Sequence, residues 1–244
     1  MPAIRFEHVS KRFMIQHTRP ASFQEALVNM LHGRTGTVEE FWALRDIDFT
    51  VEPGETFALV GANGSGKSTI LKLMSHILEP TSGTVQVEGR VVGLIELGAG
   101  FHPDLSGREN VYLWGSIMGL TEKTMTRRMD EIIAFSELEQ FIDVAVKHYS
   151  VGMYMRLGFA TAIHMDADIF LMDEVLAVGD QAFQQKCLRV WNELQEQGKT
   201  LLLVTHDIGQ VERFSRRALL MDHGRVAAYG PTREVIDHYM ASIG

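Results

Sequence analysis

Hydrophobic positions along this chain fall into runs whose period changes from one stretch to the next. Residues 3–9 and 47–51 alternate or cluster apolar side chains as strands do, and Pro53-Gly54 marks a turn. Thr56-Phe57-Ala58-Leu59-Val60 is a short apolar run that predicts a buried strand, and Thr69 to Met74 reads as a helix. Residues 84–88 and 91–96 look like the arms of a hairpin joined at Gly89-Arg90. From about 107 to 165 the spacing lengthens to three and four, predicting helices over 110–120, 122–135 and 152–165. Beyond 167, the runs 169–172 and 201–204 are short, apolar and continuous, as buried parallel strands are. Between them a helix over about 181–197 is closed by Gly198. The pattern predicts one domain over 1–244: an α/β sheet core with a helical block inserted at about 107–165.

One stretch interrupts that economy. Within 17–38, Pro20 precedes Ser22-x-x-Glu25, a capping box. Phe23, Ala26, Leu27, Met30 and Leu31 then recur at helical spacing, and Gly33 can close the helix. Such a stripe packs on its own domain or is presented to a membrane-embedded partner.

Between the strand at 56–60 and the helix after it lies Gly61-Ala62-Asn63-Gly64-Ser65-Gly66-Lys67-Ser68-Thr69. This is G-x-x-x-x-G-K-[ST], the phosphate-binding loop, in its proper strand–loop–helix setting. Glycines let the backbone wrap close to phosphate oxygens, N–H groups point inward, and the helix begins with its partial positive end at the anion. Lys67 would reach the outer phosphates and the Ser68 hydroxyl would ligate Mg²⁺. The later strand at 169–172 runs into Asp173-Glu174. An Asp there would support Mg²⁺, and an adjacent Glu would polarise the attacking water. The strand at 201–204 leads to His206, at the sheet edge where ligands bind in open α/β folds. Tyr149-Ser150-Val151-Gly152-Met153 opens a helix and offers a second anion site, or simply an N-cap serine.

Composition narrows the classes. A formal net charge of −8 disfavours general nucleic-acid binding. The single cysteine, Cys187, cannot form an internal disulfide, which suits a reducing compartment. No run approaches a bilayer-spanning length, and the N-terminus lacks a signal-peptide core. A soluble intracellular chain, peripheral if it meets a membrane at all, is expected.

Taken together, the motifs resemble the nucleotide-binding subunit of ATP-binding-cassette (ABC) transporters over nearly the whole chain. Residues 61–69 resemble Walker A, 169–174 Walker B, 149–153 the signature, Val178-Gly179-Asp180 the D-loop and His206 the switch histidine. The resemblance implies a P-loop NTPase sheet core with an antiparallel β subdomain and an inserted helical subdomain. It also implies a homodimer sandwiching two ATP molecules, with Ser150, Val151, Gly152 and Met153 of one chain facing Walker A of the other. The stretch from Glu96 through Val111, the variant signature and the 17–38 helix are similar to the branch that exports O-antigen, capsule and teichoic acid. That branch implies a membrane permease that meets Arg108 to Leu113, a lipid-linked glycan as cargo, and a place on the inner face of the cell membrane.

Departures from the family pattern are specific. No Gln lies between Gln86 and Gln140, so Leu97, with Glu96 beside it, stands where the family has a Mg²⁺-contacting Gln. Glu96 is then a candidate carboxylate ligand. Val151 and Met153 replace Gly and Gln in the signature. Phe13 aligns as the adenine-stacking aromatic, with Phe41 or Trp42 as alternatives. Rival readings are a phosphate-loop small-molecule kinase, a soluble ABC protein of repair or translation, and a non-hydrolysing adaptor. The signature element, the acidic balance and the presence of Lys67 and Glu174 argue against each in turn.

Overall fold

The structure is a computed structural model that describes residues 1–16, 38–93, 100–173 and 180–243. The stripe from Phe23 to Leu31 and the residues Glu96, Leu97, Glu174, Val178 and Gly179 lie outside the described residues.

Two sheets organise the chain. The first is antiparallel, order β2-β1-β4, from β1 (Ile4–Gln16), β2 (Val38–Val51) and β4 (Ser82–Val87). The second has order β5-β6-β7-β3-β8-β9. Its strands are β3 (Thr56–Gly61), β5 (Val91–Gly93), β6 (Ile169–Asp173), β7 (Thr200–Val204), β8 (Arg217–Asp222) and β9 (Arg225–Pro231). Its pairs are parallel except β8 with β9. The helices are α1 (Lys67–Met74), α2 (Gly107–Ile117), α3 (Glu122–Ser136), α4 (Val151–Ile163), α5 (Gln181–Glu196), α6 (Ile208–Phe214) and α7 (Thr232–Ile243).

Side-chain alternation along the parallel strands divides the core. Ile169, Leu171, Leu202 and Val204 face a cluster shared with the antiparallel sheet and with Ile70, Leu73 and Met74 of α1. Phe170, Met172, Leu201 and Leu203 face the opposite way, into the helical block and α5. This is why those strands read as unbroken apolar runs. Cys187 lies fully buried in the helical half, and burial pushes its thiol pKa up to about 12.

The helices and parallel strands fall where the apolar spacing puts them, but the hairpin at Gly89-Arg90 does not form. β4 joins β1 in one sheet, whereas β5 pairs in parallel with β6 in the other. The turn is a crossover pinned from afar: Arg90 N–H donates to Asp168 Oδ2 at 2.9 Å, and Asp168 N–H donates to Arg90 O at 2.9 Å. A Cβ on Gly89, whose φ is 104°, would lie 2.8 Å from Asp168.

Strands β1 and β2 also run beyond the expected residues 3–9 and 47–51. β4 accompanies β1 only as far as Ser10, after which β1 and β2 continue alone to the pair Gln16–Val38. That outer ribbon is exposed at Met14, Ile15 and Phe41. Arg12 holds it by an ion pair with Glu40 at 2.7 Å and by packing over the Trp42 ring.

Candidate nucleotide-binding site

β3 delivers the chain to the carboxyl edge of the parallel sheet, and the loop after it turns at once into α1. Close packing sets the shape of that turn. A Cβ on Gly61 would lie 2.3 Å from Met221 O, and one on Gly66, where φ is 108°, would lie 2.7 Å from Leu44 Cδ2. No side chain larger than hydrogen fits either place. The loop is further pinned by Gly224 N–H, which donates to Ser65 O at 3.0 Å.

Gly66 is the N-cap of α1 and supplies no side-chain cap; its carbonyl accepts from Thr69 N at 3.0 Å and Ile70 N at 3.1 Å, one turn into the helix. The Lys67 ammonium folds back across the loop, donating to Gly61 O at 2.7 Å and Ala62 O at 2.9 Å. Ser65 Oγ is buried and has no hydrogen-bond partner among the described residues. A cleft of about 350 Å³ opens over the loop. Asn63, Gly64, Gly66, Lys67, Ser68 and Thr69 line it, together with Phe41 and Ala43 of the ribbon and Val204 of β7. Its dipole, backbone donors and ammonium suit a polyphosphate.

Neighbouring strand ends converge on the same edge. Val204 is the register partner of Leu59 in β3 and of Asp173 in β6, so the backbone of Asp173 ends beside the cleft wall. His206 follows just beyond Val204 and is exposed. Asp207 then caps α6 through its Oδ1, which accepts from Gly209 N at 2.9 Å.

The signature turn is built differently. Ser150 is the N-cap of α4, and its Oγ accepts from Met153 N at 3.2 Å. Ser150 and Val151 are exposed, and Gly152 and Met153 are half-buried. Tyr149 anchors the turn: its OH donates to Phe141 O at 2.7 Å and sits where a Cβ on Gly107 would be, only 2.4 Å away. Burial, and then the nearby Asp143 charge, push the Tyr149 pKa up to about 12. Beside it, fully buried Asn110 donates to the carbonyls of His102, Leu105 and Ser106 and accepts from His102 N.

Comparison with known proteins bears on this geometry. The ABC transporter family pattern matches residues 44–177. The chain belongs to the ABC transporter family. The O-antigen export system ATP-binding protein RfbB of Myxococcus xanthus is 47% identical over 100% of this chain and 56% of its own length. The O-antigen export system ATP-binding protein RfbB of Klebsiella pneumoniae is 41% identical over 98% of this chain and 97% of its own length. Among solved structures, a dimeric ATP-binding cassette in a post-hydrolysis state with ADP and Pi superposes with TM-score 0.74. It shares 23% identity over 94% of this chain and 99% of that one, which speaks to the fold alone. This cassette is therefore an ABC-type ATP-binding unit with the P-loop NTPase fold.

Within the cassette the phosphate-loop residues come together as the motif requires. Asp173 reaches the same edge by its backbone, whereas Glu174 and Glu96 lie outside the described residues. For the base, Phe41 lines the cleft, and Phe13 stands directly across from it in register with its ring under Lys11 Nζ at 5.3 Å. Directly opposed residues of an antiparallel pair share a face. Two features escaped the sequence reading. Ser106-x-x-Glu109 is a full capping box at the start of α2, a signal readable from spacing. The buried Asn110 network carries no spacing signal and emerges only from the fold.

Proposed function

We propose that this chain is the ATP-hydrolysing subunit of a transporter that exports a lipid-linked cell-surface polysaccharide. The observation that carries the reading is the end-to-end similarity to an O-antigen export ATP-binding protein, 98% of one chain against 97% of the other. No helix among the described residues is long and apolar enough to cross a membrane, so a separate permease would form the path. The cassette would then sit on the inner face of the membrane, with Arg108 to Leu113 toward that permease.

In this reading Gly61 to Gly66 and the Lys67 ammonium hold the β- and γ-phosphates of ATP, while the Phe13–Phe41 pair takes the adenine. Ser68 and Asp173, with Glu96 as a further candidate, present the oxygen donors a hard divalent cation takes. Mg²⁺ supplies neutralisation of the developing phosphate charge when bound. Glu174 aligns water for in-line attack and His206 donates to the γ-phosphoryl oxygens. Ser150, Val151, Gly152 and Met153 of a second copy close over the nucleotide, and Thr69 and Asp180 complete the set of nucleotide-binding residues. Positioning and electrostatics account for the acceleration.

Glu174→Gln tests the chemistry: turnover should nearly vanish while ATP binding persists and a stable dimer accumulates. Normal hydrolysis by that variant removes Glu174 from its role. Deleting the gene tests the cargo. Lipid-linked glycan should accumulate inside the cells as surface glycan disappears, and unchanged glycan leaves only the ATPase.

A further inference from the structure

Arg156 stands on the second turn of α4, one helical turn and a half from the exposed signature serine. Its side chain is only 19% exposed, well below what a surface arginine shows. The guanidinium fork diverges to two carboxylates on two other elements. Nη1 donates to Glu137 Oε2 at 2.8 Å and Nη2 to Asp180 Oδ2 at 2.5 Å, and the plane lies over the Phe183 ring at 5.0 Å. Glu137 is the C-cap of α3, in a left-handed conformation with φ 59°, and Asp180 is the N-cap of α5. One guanidinium on the signature helix therefore bridges the end of α3 and the start of α5.

The acceptors are fixed from their far sides as well. Asp180 Oδ1 accepts from Phe183 N at 2.9 Å, which aims Oδ2 at Arg156. That backbone bond and then the Arg156 charge hold the Asp180 carboxyl below the usual carboxylate range. Glu137 Oε1 takes Lys186 Nζ at 3.3 Å, and Lys186 also donates to Phe135 O at 2.8 Å. Beneath them Phe135, Phe159 and Phe183 pack with centroids 5.8 to 6.1 Å apart. An exposed, salt-screened pair would hold nothing in place. Here the arginine is shielded while Glu137 and Asp180 stay 51% and 61% exposed, but the fork binds two pre-aimed acceptors at once, and a lysine, a point charge on a flexible stem, cannot reproduce it.

We propose that Arg156 is a positioning residue that fastens the signature helix to Asp180, so that Ser150 and Asp180 reach the nucleotide of a second copy as one body. The proposal rests on the head-to-tail reading above. It adds that the signature turn and the D-loop aspartate of one chain are not independent fingers. Removing the fork frees each to move alone, and the closed dimer then has to align both.

The test uses the full chain carrying Glu174→Gln, in which ATP should trap the dimer. Dimer formation is followed by light scattering against ATP concentration, and ATP binding to the monomer by fluorescence of a methylanthraniloyl-ATP probe. Thermal melting is recorded in parallel. Arg156→Lys keeps the charge and loses the fork, and Asp180→Asn keeps the shape and loses the charge. Arg156→Lys should leave monomer binding within about twofold, and both variants should raise the ATP needed for half-dimerisation roughly tenfold, with the double variant no worse than either alone. Dimerisation unchanged in both variants overturns the proposal, as does a lowered melting point and weakened monomer binding in Arg156→Lys, which would make the residue merely structural. Absence of an ATP-dependent dimer in the Arg156-containing control overturns the head-to-tail reading itself, a result distinct from the other two.

Discussion

Helices α1 and α4 each begin beside a serine and a glycine, yet they are finished in opposite ways. The start of α1 has no side-chain cap, and its Gly66 is wedged against Leu44 and the Ala43 carbonyl. The start of α4 is capped by its own serine, Gly152 has only Ser150 Oγ near its missing Cβ at 3.9 Å, and Val151 is 81% exposed. The first end is enclosed by the β1–β2 ribbon, β7 and the β8–β9 turn within one chain. The second stands out at the surface. An uncapped, walled helix start offers an enclosed anion cradle; under the proposed function, the capped, protruding one contributes its half of a site to a second copy.

Several substitutions would break or sharpen that contrast. Lys67→Ala should have the largest effect. It removes the ammonium from the enclosed end, and we expect a loss of about a hundredfold or more in kcat/KM, measured by phosphate release. Ser150→Ala strikes the other end. Monomer ATP affinity should hold while turnover falls roughly tenfold to a hundredfold, and loss of the cap should cost about 1 kcal/mol of stability by denaturant melting. Equal damage to monomer binding by both variants would erase the distinction between the two ends.

Phe41→Ala and Phe13→Ala examine the wall of the first end. Aromatic–base stacking is worth about 1–3 kcal/mol, so KM for ATP should rise with Phe41→Ala while affinity for inorganic tripolyphosphate stays put. A larger change from Phe13→Ala would assign the base to that ring instead. The smallest effect lies far from both ends, at exposed His8. Its Nδ1 is 3.0 Å from Asp46 Oδ1 and 3.3 Å from Asp48 Oδ2. The hydrogen bond it donates to Asp46, then the Asp48 and Asp46 charges, raise its pKa above 6.5. The stability this group adds is therefore fully present below pH 6.5 and lost as pH rises through the raised value. Thermal melting of His8→Asn should lack that one small pH-dependent step.

Much of this was readable before any coordinates. The phosphate loop and the buried strands announce themselves because their chemistry and period are local: Gly-x-x-x-x-Gly-Lys-Ser cannot serve most other purposes between a strand and a helix. The Gly89-Arg90 turn misled because its true partner, Asp168, is 78 residues away, and local turn chemistry is the same for a hairpin and for a crossover. The outer ribbon was missed because solvent faces it and leaves no apolar alternation to count. Phe41 was only an alternative to Phe13 until the fold placed it in the lining of the cleft. Arg156 reads from spacing as an ordinary helix residue, since its acceptors come from positions 19 and 24 residues away on opposite sides.

The buried Cys187 has a practical consequence. It is the only cysteine in the chain, it is fully buried, and its thiol pKa of about 12 leaves almost no nucleophilic thiolate near neutral pH. The native background is thus silent to maleimide and spin-label reagents without any prior mutagenesis. A single cysteine placed at exposed Val151 would carry a probe of its own, and the separation between two such labels across a dimer would report closure directly.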